Sequence, residues 1–160
     1  MPGFTKGPNW RTPFGRNPYL GSTANTQFDH GTVAAATVPA ETIDDATDQK
    51  ILQSGTVLAK ITSGANSGKL GPFDLSASDG RQTAANIVGV CDTYLPWQLM
   101  EGDREVAYLY HGTVVQAACF IYNAQGAKVA LTDAVAADMF GKKKLDITFR
   151  TAANSTGNVH

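Results

Sequence analysis

Three groups of residues in this chain are of types that could do chemistry. Cys91 and Cys119 are the two cysteines, and His111, the only histidine in the patterned part of the sequence, could serve Cys119, a candidate nucleophile, as a base. A reactive thiol also needs an oxyanion site and an orienting group. The sequence presents no nucleophile elbow, no paired histidines and no metal-ligand spacing. Lacking a CxxC spacing or a neighbouring histidine cluster, the cysteines indicate neither a zinc site nor a disulfide framework, and they read as buried thiols in strands.

The second group is Gly64-Ala-Asn-Ser-Gly-Lys-Leu70, which approaches a phosphate-binding loop. It is one residue short between its glycines, it has Leu70 where a magnesium-binding hydroxyl is required, and Pro72 spoils the helix that should follow. A turn between strands accounts for it. The third group, Asp44, Asp45 and Asp48, could gather a divalent cation but lacks calcium-loop spacing, and it reads as a solvated turn or helix start. The expectation is a protein that is not an enzyme, with no catalytic residues, no cofactor and no metal.

Binding chemistry is concentrated near the start of the chain. Across residues 1–30, Pro2, Pro8, Pro13 and Pro18 alternate with glycines, which removes amide donors and blocks regular structure. Yet the same stretch holds Phe4, Trp10, Phe14, Tyr19 and Phe28, more aromatic surface than a solvated linker carries. Lys6, Arg11 and Arg16 make it basic, whereas Glu41 to Asp48 is acidic. We therefore expect an extended arm that binds a partner through Phe4, Trp10, Arg11, Phe14, Arg16 and Tyr19. Fully extended it would reach roughly 100 Å, against a radius of gyration near 15 Å for a domain of this size. The competing course folds the arm back along its own core. Stacking of single-stranded bases on the arm's rings is a further alternative, weakened by the small number of basic residues.

Charge narrows the partner. A formal net charge of -1 with 17% charged residues argues against nucleic acid and anionic lipid, which need clustered basic surface, and favours protein. The first residues hold no apolar signal-like core, and no run of about 18 apolar residues is available to span a bilayer. Synthesis in a host cytoplasm, without a membrane partner, is the expectation.

The elements that must carry this arm are short and β-rich. The 160 residues allow one ordinary domain with appendages. Sixteen glycines and many Thr, Ala and Val residues favour strands joined by turns. Strands are expected at Thr56–Thr62, Asn86–Cys91, Glu105–His111, Thr113–Tyr122 and Leu145–Arg150. Thr113–Tyr122 is the longest candidate. One helix is expected over 132–141, with Thr132 as its N-cap, Asp133 at its positive end and Gly141 as its stop; Lys142 to Lys144 suit its C-terminal end. The expected organisation is an arm over 1–30, a β-rich domain over 31–150 and a disordered tail over 151–160.

The order of motifs in this domain resembles a family. Gly55-Thr-Val-Leu-Ala-Lys-Ile61, Gly71-Pro-Phe-Asp74, Asp79-Gly-Arg-Gln-Thr-Ala-Ala-Asn-Ile-Val-Gly89, Tyr110-His-Gly-Thr-Val-Val115 and Leu145-Asp-Ile-Thr-Phe149 are similar to the head decoration proteins of tailed bacteriophages, the lambda D-like family. The resemblance covers about the C-terminal two-thirds of the chain. It implies a small β-barrel or β-tulip-like domain with one short helix, three copies of which associate as a homotrimer at threefold-type positions. The partner would be the major capsid protein, and the location the outer capsid surface of a virion. It implies capsid stabilisation, or cementing, as the function and carries over no catalytic residue. A host- or glycan-binding module displayed on a particle is the alternative.

Overall fold

The computed structural model describes residues 15–43, 46–141 and 145–150. Eight strands and one helix follow in the order β1 (Leu20–Val33), β2 (Val57–Lys60), β3 (Leu70–Pro72), β4 (Ile87–Cys91), β5 (Arg104–Val115), β6 (Phe120–Tyr122), β7 (Lys128–Ala130), α1 (Asp133–Gly141) and β8 (Asp146–Arg150). The protein is mainly β, as expected. Six strands form a mixed sheet in the order β1-β3-β2-β4-β5-β8, and β6 and β7 pair separately.

The long β5 organises the sheet. One of its edges carries β1, antiparallel, from Leu20↔Val114 to Val33↔Arg104. Its other edge is shared by β4, at Leu109 and Tyr108, and then by β8, which runs parallel from His111↔Asp146 to Val115↔Arg150. At the far end of β1, Val33 meets Leu70 of β3 in parallel register, and the Ala34 N–H donates to the Leu70 carbonyl at 2.9 Å. That contact nearly closes the sheet into a ring.

Near-closure explains why β2 and β4 read as almost continuous apolar runs. In a strand, successive side chains point to opposite faces, and here both faces are covered. Val57 and Ala59 join one core with Ile87, Val90, Leu109, Phe73, Val135, Met139 and Ile147, while Leu58 and Cys91 join a second with Val33, Leu52, Leu70, Leu99 and Val106. The helix supplies Val135, Ala136 and Met139 to the first core. Thr132 accepts from the Val135 N–H at 3.4 Å, and Asp133 lies in the first turn, in keeping with the expected start.

One expectation is corrected. Thr113–Tyr122 is not one strand. β5 ends at Val115, a short 3-10 turn occupies Gln116–Ala118, and β6 begins at Phe120. The turn is fixed by contacts distant in sequence: Gln116 Nε2 donates to Leu131 O at 3.1 Å and to Asp133 Oδ1 at 2.7 Å. β1 spans Leu20–Val33 and pairs with β5 along this length. The strand is mostly exposed, and Thr23–Thr26 bulge out opposite the single residue Gly112, with Asn25 at φ 53°.

Candidate interaction surface at the root of the arm

Of the six expected arm residues, Arg16 and Tyr19 are described; Phe4, Trp10, Arg11 and Phe14 lie outside the described residues. Tyr19 is 1% exposed, and its ring packs in the first core. Its hydroxyl donates to Asp92 Oδ1 at 2.7 Å, and Arg16 forms an ion pair with the same oxygen. Burial is the main cause that pushes the Tyr19 phenol far above its ordinary value, followed by the hydrogen bond to Asp92.

Around this anchor the backbone is fastened by amides. The Asn17 N–H donates to Gln53 Oε1 at 3.0 Å, while Asn17 Nδ2 donates to Ser54 O at 3.0 Å and to Ala118 O at 2.6 Å. Gln53 Nε2 returns a bond to Gly15 O at 3.2 Å, and Ser54 Oγ donates to Asp92 O at 2.9 Å. One step further on, the Val115 N–H donates to Tyr19 O at 2.8 Å. Residues 15–19 are thus tied to the 53–55 turn, to Asp92 at the end of β4, and to the β5–β6 junction.

Gly55 makes the close approach possible. Its φ of +94° suits glycine, and a Cβ there would press on the Ala118 carbonyl oxygen and lie 2.9 Å from Asn17 Nδ2 and 3.1 Å from Tyr19 Cβ. Beside the root lies a cleft of about 410 Å³ lined by Gly15, Arg16, Asn17, Pro18, Gln53, Phe120 and Lys128. A second, of about 320 Å³, is lined by Arg16 to Leu20. Lys128 sits over the Phe120 ring at 5.0 Å and pairs with Glu41 at 3.5 Å.

Asn17, Gln53, Ser54, Gly55 and Asp92 were not singled out by sequence reasoning as functional. The available signal was the Gln53-Ser54-Gly55 sequence, a turn pattern directly before an apolar strand, but nothing local says that Asn17 closes on it.

The remaining chemistry candidates have other occupations. His111 Nδ1 lies 2.8 Å from Asp146 Oδ2 across β5 and β8, whereas the Cys119 thiol is buried and directed at Val115 O, 3.5 Å away. Burial pushes Cys119 up to about 12, and likewise Cys91, which is directed at Thr93 O at 3.2 Å. Such thiols hold little thiolate at neutral pH. The Gly64–Leu70 segment is the turn of the β2–β3 hairpin; Lys69 donates to Asn66 Oδ1 at 3.1 Å and pairs with Asp103 at 2.7 Å. The Asp103 carboxyl is held below its ordinary value chiefly by that Lys69 hydrogen bond. Asp44 and Asp45 lie outside the described residues, and among the described residues no group of three or more His, Cys, Asp or Glu is placed to hold a metal. None of the described helices is long and apolar enough to cross a membrane.

The Gly71–Asp74 and Asp79–Arg81 motifs form a structural node. Arg81 Nε donates to both Asp79 oxygens at 3.0 Å, its Nη1 donates to Pro72 O at 3.2 Å, and Asp74 lies 3.9 Å away. Asp74 in turn accepts from the Ser76 N–H at 2.8 Å. No protein-family model matches the chain, and no curated protein sequence matches it.

Proposed function

We propose that this protein is a capsid decoration protein that binds the outer surface of a phage head and cements it, through the major capsid protein, as a homotrimer at threefold-type positions. The observation that carries this reading is the fastening of residues 15–19 by Asn17, Tyr19, Gln53 and Asp92. It ties the residues that follow the aromatic and basic stretch to the β domain. The mainly β fold and the order of its motifs agree with the resemblance to head decoration proteins.

Cementing requires only binding. A bridge across several capsid subunits adds interface that must break before they separate. Three arms on one trimer make each rebinding event intramolecular, so modest contacts by Trp10, Phe14 and Arg11 give slow release of the whole.

The test is co-sedimentation with mature shells of the phage that encodes the chain. The informative truncation removes residues 1–14, because a cut at 30 would also remove Tyr19 and most of β1. Saturable binding, weakened by that truncation and by the Trp10→Ala/Phe14→Ala pair, is expected. No binding by the intact chain overturns the reading.

A recognition module displayed on a particle is the second reading, favoured by the exposed Phe28 and Tyr110 on the β1–β5 ribbon, where Tyr110 and Tyr108 donate to Gln27 and Asp29 at 3.1 and 3.3 Å. Glycan or cell binding that survives loss of residues 1–14 would select it.

A further inference from the structure

The Asp79-Gly80 pair carries a chemistry that the surface at residues 15–19 does not use. It is the only Asp-Gly or Asn-Gly step in the sequence. In such a step no side chain shields the glycine nitrogen, and it can attack the preceding carboxyl carbon. The new N–Cγ bond closes a five-membered succinimide as a water molecule leaves. Water then adds back at either carbonyl. Opening at Cγ restores aspartate, whereas opening at the α-carbonyl gives isoaspartate, in which the main chain runs through Cβ and Cγ. The product is an isomer of the same mass, and the only co-reactant is water.

The fold requires this glycine. Gly80 is buried at φ +105°, where a side chain is strained, and a Cβ there would collide with Thr62 Oγ1 and lie 3.1 Å from the Thr62 nitrogen. Both reacting groups are nevertheless engaged elsewhere. The Gly80 N–H donates to Gln82 Oε1 at 2.9 Å. On the other edge of the same peptide plane, the Asp79 carbonyl accepts from the Thr62 and Ser63 N–H groups at 2.9 and 3.3 Å. The Asp79 carboxylate accepts from the Arg81 N–H at 3.2 Å and from Arg81 Nε at 3.0 Å through each of its oxygens. Arg81 is itself 8% exposed and bonded to Pro72 O at 3.2 Å, so it is not free to follow the carboxylate as that rotates. Attack needs the peptide and the carboxylate to turn toward each other, and each of these bonds opposes the turn.

We propose that Asp79-Gly80 is a latent site of isoaspartate formation that Arg81 and Gln82 hold shut. Reaction waits for local opening of the segment between β3 and β4, and its rate is that of an open peptide reduced by the fraction of molecules open there. The product would harm the fold. An added methylene in the main chain shifts the carboxylate away from Arg81, whose guanidinium also holds Pro72 O and lies 3.9 Å from Asp74. The inference is independent of the capsid reading, since it concerns the chemistry of the loop alone.

The experiment incubates the full chain, its Gln82→Ala, Arg81→Lys and Tyr19→Phe variants, and a synthetic peptide of residues 76–83 at neutral pH and physiological temperature. Isoaspartate is counted by methylation with an isoaspartyl methyltransferase, and peptide mapping places it at Asp79. The peptide has the same local sequence, so any protection of the full chain comes from its fold. Tyr19→Phe weakens the fold at a distance and controls for global unfolding. Expected is a rate in the full chain at least about tenfold below that of the peptide, a rise of about threefold or more in Gln82→Ala, a larger rise in Arg81→Lys, and a change under about twofold in Tyr19→Phe. A peptide-like rate in the intact chain overturns the inference. So do rates in Gln82→Ala and Arg81→Lys that equal the wild type or that Tyr19→Phe matches. Circular dichroism checks each fold, and Gln82→Ala decides alone if Arg81→Lys does not fold.

Discussion

The Tyr19 hydroxyl donates to Asp92 Oδ1 at 2.7 Å while its ring lies in the first core beside residues of β2, β5 and α1. One side chain thus closes the arm root onto the domain twice, through apolar burial and through a bond to a carboxylate that also holds Arg16.

The two parts of this closure separate by mutation. Tyr19→Phe keeps the ring and removes the hydroxyl, and it should cost about 1.5–3 kcal/mol, a hydrogen bond to a charged acceptor. Tyr19→Ala also empties the ring's place and should cost about 3–5 kcal/mol. Urea unfolding of the two variants measures the difference; equal losses would mean that the ring contributes nothing.

Gly55→Ala should be more damaging than its size suggests. The change forces a Cβ into the left-handed region at φ +94° and against the Ala118 carbonyl and Asn17. A cost of about 2–4 kcal/mol is expected from backbone strain and the displaced contacts. Trypsin should then cut faster after Arg16, whose following amide is released from Gln53. A wild-type rate of cleavage there would show that the root does not depend on this approach.

How much of this was legible in the sequence depends on the distance over which each element is determined. Thr132, Asp133 and Gly141 mark the helix because capping is local, and Leu145–Phe149 alternates because one face of β8 is buried. β1 was hidden because Ser22–His30 are mostly exposed and carry no apolar period; its pairing is set by β5, some 80 residues away. The break at Gln116–Ala118 was hidden for the same reason, since Leu131, Asp133 and Asn17 supply its partners. Around residues 15–19, aromatic and basic content drew attention to Arg16 and Tyr19, but amide chemistry between Asn17 and Gln53 leaves no local pattern.

Arg81 offers a test of the motif node. Its side chain is nearly buried between Asp79, Asp74 and the Pro72 carbonyl. Arg81→Ala leaves Asp74 and the carbonyl without this partner, and a loss of about 3–4 kcal/mol is expected, as for other broken buried pairs. Arg81→Lys should recover only part of it, because an ammonium cannot span Asp79 and Pro72 O as the guanidinium does. Full recovery by lysine, read by thermal melting, would reduce the node to simple charge pairing.

Burial of the two thiols should make stability fall at alkaline pH. Cys91 and Cys119 both rise from 9.0 to about 12 on folding, because burial disfavours the thiolate. Below pH 9 both states keep the proton, and the stability associated with these groups is fully present. Between pH 9 and about 12 the unfolded chain loses protons that the folded one retains, so stability falls as pH rises. Each thiol contributes a slope of up to about 1.4 kcal/mol per pH unit in that window. The Cys91→Ala/Cys119→Ala protein should start less stable, having lost packed sulfur, but show a shallower decline in urea midpoints from pH 9 to 10.5. Parallel declines in the two proteins would place the alkaline sensitivity elsewhere, with Tyr122, which burial also raises to about 12, as the next group to replace.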